Sequence, residues 1–142
     1  MRIMGLDIGD KYIGIAISDD QGIIAQPLKV IENTSQKDII VALLELCSIY
    51  NISRIIFGLP KNMNGTIGSQ AKKVINFIEN IKQKIDIPCM PWDERLSTCG
   101  AQQILSNASV PIKKRKKIKD KIAAAIILQN YLDFCRSKRP DK

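Results

Sequence analysis

Histidine is absent from this chain of 142 residues, and four acidic positions stand in unusual contexts. Asp7 interrupts the apolar run that starts at Arg2. Asp93 and Glu94 follow directly on a second apolar segment. Asp120 stands alone among Lys113, Lys114, Arg115, Lys116, Lys117, Lys119 and Lys121. Without an imidazole, a Ser-His-Asp triad, a Cys-His pair, a histidine-ligated zinc and a histidine general base are all excluded. Carboxylates remain, with cysteines and lysines. Three carboxylates meeting at one point would hold one or two Mg²⁺ or Mn²⁺ ions, which prefer oxygen ligands. Two such ions about 3.5–4 Å apart activate a water and steady the leaving oxygen in phosphodiester cleavage.

Each acid also has an ordinary structural use. An ionised Asp7 inside a central strand is costly unless it is paired or bound to a metal. Otherwise it turns out to solvent or caps the next turn. Asp93 and Glu94 point to opposite sides if their strand persists, so at most one faces Asp7. The alternative is that Asp93 caps the following turn and Glu94 pairs with Arg95. Asp120 near a helix start is favoured by the helix dipole and by its basic neighbours. Its face is shared through i+3, i+4 and i+7 by Ala123, Ala124 and Ile127. Small alanines there would let the helix lie close to a sheet.

The elements that must carry these residues follow from the apolar pattern. Strands are expected at 2–8 and 12–18, joined by the turn Gly9-Asp10-Lys11. After the turn Asp19 to Gly22, a third strand at 23–30 contains Pro27 and belongs at a sheet edge or a bulge. A polar break spans Asn33 to Lys37. The spacing of Ile40, Leu43, Leu44 and Cys47 predicts a helix over 38–50. A strand at 54–59 leads to a polar loop, 60–68. A helix at 69–84 carries Ala71, Val74, Ile75, Ile78 and Ile81 on one stripe. A strand at 87–91, a short helix from the Ser97 cap to 106 and a long helix at 116–136 complete the chain. The order β-β-β-α-β-α-β-α-α implies an antiparallel meander extended by parallel crossovers. The fold class is therefore α/β, one mixed sheet covered by helices. A single domain over 1–136 with a flexible basic tail, 137–142, is expected.

The net charge of +8 is unevenly placed. Residues 111–142 hold 11 basic and 3 acidic side chains, whereas residues 1–110 hold 11 of each. A localised excess of this kind suits a polyanion such as a nucleic-acid backbone; a solvated helix face is the plain alternative. The run 113–121 lacks interleaved aromatic residues, so it reads as a backbone clamp and not as a base-stacking platform. The loop at 61–68 lacks the phosphate-loop consensus, though amides before a helix suit an anion. Cys47, Cys89, Cys99 and Cys135 form no C-x-x-C pair or zinc spacing. Cys47, Cys89 and Cys135 read as small buried hydrophobes. A reducing, cytoplasmic setting is expected, with no signal peptide, because Asp7 cuts the N-terminal apolar run short. No membrane association is expected, since the longest purely apolar run is Ile122 to Leu128.

Four blocks in order resemble the YqgF/RuvX family and together cover nearly the whole chain. They are Gly5-Leu6-Asp7-Ile8-Gly9 through Asp19; Gly58-Leu59-Pro60 with Asn62-Met63-Asn64-Gly65; Asp93-Glu94-Arg95-Leu96-Ser97-Thr98; and Arg115-Lys116-Lys117 with Asp120 through Gln129. The resemblance implies a ribonuclease-H-like fold with a five-stranded sheet. It implies Asp7, Glu94 and Asp120 as catalytic, metal-binding acids, with Mg²⁺ or Mn²⁺ as cofactor. Lys11 and Arg95 would be nearby substrate or structural groups. Where the family commonly carries arginine, this chain has Tyr12, which removes a phosphate contact and offers a stacking ring instead. With Lys113, Lys114, Arg115, Lys116 and Lys117, these form the expected nucleic-acid contacts.

The resemblance further implies an endonuclease that matures the 5′ end of pre-16S ribosomal RNA, acting on structured RNA, alone or within pre-ribosomes. One alternative is a Holliday junction resolvase acting on four-way, branched DNA, which calls for paired active sites and hence a dimer. The bland alternative is a non-catalytic RNA-binding factor in ribosome assembly. A monomer or weak homodimer is expected.

Overall fold

The computed structural model describes residues 2–59, 68–93 and 112–137, without the side chains of 93, 112–121 and 137. Its strands are β1 (Arg2–Ile8), β2 (Tyr12–Ser18), β3 (Ala25–Glu32), β4 (Ile52–Leu59) and β5 (Cys89–Asp93). Its helices are α1 (Gln36–Tyr50), α2 (Ser69–Lys82) and α3 (Ile112–Ser137). The strands form one mixed sheet in the order β3-β2-β1-β4-β5. β1–β2 and β2–β3 are antiparallel, whereas β1–β4 and β4–β5 are parallel. Such parallel neighbours require crossovers, and α1 and α2 supply them.

The pleat divides the sheet into two chemically different faces. Met4, Leu6 and Ile8 of β1, Ile13, Ile15 and Ile17 of β2, and Ile55 and Phe57 of β4 pack with α1 and α2 in the larger core. The opposite parity, represented by Ile3, Ala16, Ile56 and Trp92, packs against α3. Bulky branched residues fill the first face, where they stabilise strands through packing. The second face mixes large residues with the small Gly5 and Ala16, and it is at Gly5 that the helix comes close.

Several boundaries differ from the sequence expectation for identifiable reasons. β3 lies at a sheet edge and begins at Ala25, two residues later than expected. Its register shifts where Pro27 follows the pairing of Lys29 with Ile15, so Leu28 is accommodated as a bulge. β5 is the other edge and runs through Pro91 to Asp93, because an edge strand tolerates a missing N–H. The buried stripe of α1 is Ile39, Leu43, Leu46 and Cys47. Leu44, placed on that stripe from spacing, is 43% exposed. Apolar residues surround α1 almost completely, so periodicity alone left its rotational phase open. α3 begins directly after Pro111, four residues before the expected start. The expected helix at 97–106 and residues 138–142 of the expected tail lie outside the described residues.

Candidate active site

Asp7 is half-buried on β1, directly opposite Gly14 of β2. On its other side, Leu6 pairs with Phe57, and Gly58 follows in β4. The residue directly opposite Asp7 on β2 therefore has no side chain, and the residue that continues β4 past the Leu6–Phe57 pair is also glycine. Ile3, Gly5 and Asp7 alternate onto the face that α3 covers. A Cβ on Gly5 would fall 2.8 Å from Leu128 Cβ and 3.1 Å from the Ala124 carbonyl oxygen. Only glycine permits this approach of helix and strand.

The same neighbours give the direction of α3. Ile3 shares a cleft with Tyr131 and Cys135, whereas Gly5 meets Leu128 and Ala124. The helix thus descends in residue number as β1 ascends. Two strand residues advance about 6.6 Å, and one helical turn of four residues about 6 Å. The step from Gly5 to Asp7 therefore matches the step from Ala124 to position 120. Asp120 lies in α3, and its side chain is outside the described residues, as is Glu94 altogether. Of the three candidate acids, only the Asp7 side chain is described, and among the described residues no three His, Cys, Asp or Glu side chains gather to hold an ion.

The turn after Asp7 is firmly built. The Gly9 N–H donates to the Tyr12 carbonyl at 2.9 Å, and a Cβ on Gly9 would lie 2.8 Å from that same oxygen. Asn33, just past β3, braces the turn from outside. Its amide Nδ2 donates to the Gly9 carbonyl at 2.7 Å, and its backbone N–H donates to the Lys11 carbonyl at 2.8 Å. In the sequence Asn33 falls in a polar break, which gives no sign of this role. An asparagine able to satisfy a turn was visible, but its partner 24 residues away was not. Lys11 is exposed on the turn, and half-buried Tyr12 opens β2 opposite Glu32. Arg95 and the loop 61–67 lie outside the described residues, and Lys113, Lys114, Arg115, Lys116 and Lys117 are placed only as helical backbone at the start of α3.

Trp92 belongs to the α3 face. Its ring meets Tyr131 edge-on at 5.7 Å and Phe134 at 5.3 Å between centroids. That favours packing over substrate stacking for this ring. Cys47 and Cys89 are buried, and burial pushes the Cys47 thiol up to about 11. Cys135, expected to be buried, is only partly so, because it lies at the rim where α3 leaves the sheet.

A mixed β3-β2-β1-β4-β5 sheet with this helix packed on the Asp7 face has the ribonuclease-H-like architecture. It resembles RuvC of T. thermophilus in complex with Holliday junction substrate, with a TM-score of 0.60 and 12% identity over 98% of this chain and 97% of that one. It also resembles the Fowlpox virus resolvase bound to Holliday junction DNA, with a TM-score of 0.56 and 16% identity over 95% and 99%. At those identities the likeness concerns the fold. The chain belongs to the RuvX family, whose model, described as "RuvX: Holliday junction resolvase", matches residues 1–134. It is 57% identical over 134 residues to the "Putative pre-16S rRNA nuclease" of Desulforamulus reducens, covering 94% of this chain and 97% of the relative. It is 50% identical over 139 residues to the protein of the same name from Thermoanaerobacter pseudethanolicus, covering 97% and 100%.

Proposed function

We propose that this protein is a metal-dependent endonuclease that processes the 5′ end of pre-16S ribosomal RNA. The observation that carries the proposal is Asp7 itself. It is an acid on a central strand, flanked by Gly14 and Gly58, on the face that Gly5 opens to α3. A sheet neighbourhood that omits two side chains beside a carboxylate suits a hard cation and the phosphate it would meet. The names of the full-length relatives supply the substrate class.

In this reading Asp7, Glu94 and Asp120 hold Mg²⁺ or Mn²⁺. Glu94 has the sequence parity of Trp92, whose side chain packs on the α3 face, and Asp120 is one turn before Ala124. The ions, when bound, activate water and offset charge on the phosphodiester. Lys11, Tyr12 and Arg95 contact the strand near the acids. Lys113, Lys114, Arg115, Lys116 and Lys117 hold the backbone that carboxylates alone would repel. Residues 1–136 act as one nuclease domain, with 137–142 a basic tail, in a cytoplasmic monomer or weak homodimer. Among the described residues, no helix is long and apolar enough to cross a membrane.

The test is cleavage of a pre-16S transcript, free or within pre-ribosomal particles, with Mg²⁺ or Mn²⁺. Wild-type protein should release the mature 5′ end and Asp7→Asn should not. Equal cleavage by both would reject the assignment. A second reading, resolution of four-way DNA, rests on the description of the family model. Symmetric nicking of a synthetic junction by a dimer, with the transcript left intact, would favour it. Tight RNA binding without metal-dependent cleavage would leave an assembly factor.

A further inference from the structure

At the end of β1 remote from Asp7, α3 and the 21–23 segment enclose a cleft of about 580 Å³. Arg54 of β4 and Arg136 of α3 stand at this cleft together with Tyr131 and Cys135, and Ile3 and Ile23 supply apolar lining. The volume lies within the roughly 300–1,000 Å³ typical of small-ligand sites. Ile3 and Asp7 are four residues apart on one strand, which places the cleft about 13 Å from the candidate acids.

Its walls are fixed by side-chain hydrogen bonds. Gln129 Nε2 donates to the Ile23 carbonyl at 2.8 Å, while its Oε1 accepts from the Ala25 N–H at 2.9 Å. Asp19 Oδ1 accepts from the N–H groups of Ile23 at 2.7 Å and Ile24 at 3.1 Å. Arg54 Nη1 donates to the buried Tyr131 hydroxyl at 2.6 Å. Among the described residues, Arg54 has no carboxylate partner. Arg136 meets Asp133 at 3.5 Å on a half-exposed surface, a pairing that solvent weakens. Arg2 and Asp20 pair at 3.7 Å.

We propose that this cleft binds a nucleotide, with its phosphate on Arg54 and Arg136 and its base against Ile3 and Ile23. A guanidinium held by a buried phenol keeps several donors in a fixed plane, which is the arrangement a phosphate selects. The apolar lining suits a planar base more than a bare inorganic anion. The same chemistry is offered by a free nucleoside monophosphate and by one unpaired nucleotide of an RNA strand. Neither requires cleavage at Asp7, so the site stands apart from the proposed nuclease reaction.

The experiment uses the full chain carrying Asp7→Asn, without divalent metal, so that catalysis plays no part. AMP and a 5′-phosphorylated adenosine pentanucleotide are titrated separately, with inorganic phosphate as a control, and backbone NMR shifts are followed. Shifts should appear at Ile23 and on α3 around Cys135 with AMP, the pentanucleotide or both, and phosphate should bind more weakly. Binding of AMP alone assigns a free-nucleotide site; binding of the pentanucleotide assigns a strand subsite. Arg54→Gln should weaken binding about tenfold, the scale of one charged hydrogen bond. Arg54→Lys, which keeps the charge and spares the fold, should weaken it several-fold. The proposal is overturned if neither ligand shifts these residues, or if phosphate binds as well as both. Unchanged affinity in either folded Arg54 variant overturns it too.

Discussion

Asp7 occupies a strand position where valine or isoleucine would serve the sheet better, and its glycine neighbours give it no hydrophobic support. Asparagine has the same shape and no charge. Asp7→Asn should therefore keep the fold, as read by circular dichroism. Metal-dependent cleavage should fall by more than the roughly 100-fold that loss of an outer-shell partner costs. Asp19 is a different kind of acid. The Ile23 N–H, then that of Ile24, hold its carboxyl below the usual 3.8. Because the folded value is the lower one, the stabilisation is present above pH 3.8 and is lost as pH falls through the folded value. Amide shifts of Ile23 and Ile24 should report a titration below 3.8, and Asp19→Asn should abolish it. Asp7 was legible in the sequence because a charge stood in an apolar run. Asn33 and Gln129 were not, since each satisfies backbone groups that only the fold brings near it.

Elements were legible where their periodicity was one-sided. The stripe of α2 is nearly complete in the sequence: the structure adds Phe77 and leaves Ile75 only partly buried. For α1, spacing gives Leu43 and Cys47 of the buried stripe but not Ile39 and Leu46, because apolar residues surround the helix. The expected strand at 87–91 lies too early, since Pro91 resembles a strand end in sequence and serves as an edge residue in the fold. The packing of α3 on β1 is the element-level feature on which the candidate site depends. The alanines forecast a close approach, but Gly5 is the residue that permits it. Gly5→Ala must push Leu128 Cβ or the Ala124 carbonyl away, and backbone yields poorly. Thermal unfolding should show a destabilisation of about 1–3 kcal/mol, the usual scale of overpacking. Cleavage by the folded fraction should also fall, because the shift displaces the turn that carries Asp120.

At the scale of the whole molecule, the strand and helix order was enough to give the mixed sheet, since crossover handedness and pairing leave few alternatives. The convergence proposed for the three acids is not legible in the same way. It depends on the direction of α3 across β1, which no spacing in the sequence records. Charge is distributed on the same large scale, with the excess confined to residues 111–142. If the start of α3 clamps a nucleic-acid backbone, the logarithm of RNA affinity should fall linearly with the logarithm of salt. Replacing Lys113, Lys114, Arg115, Lys116 and Lys117 by glutamine should flatten that slope by roughly 0.7–0.9 for each phosphate no longer neutralised. An unchanged slope would place the backbone elsewhere on the molecule.

An ion shared by the three acids is the central claim, and a crystal soaked in Mn²⁺ addresses it most directly. The anomalous difference map should show manganese bonded to an Asp7 carboxylate oxygen, with Glu94 and Asp120 completing the protein ligands. Saturating Mn²⁺ that leaves Asp7 without a bound ion, or with Glu94 and Asp120 turned to separate surfaces, would contradict it.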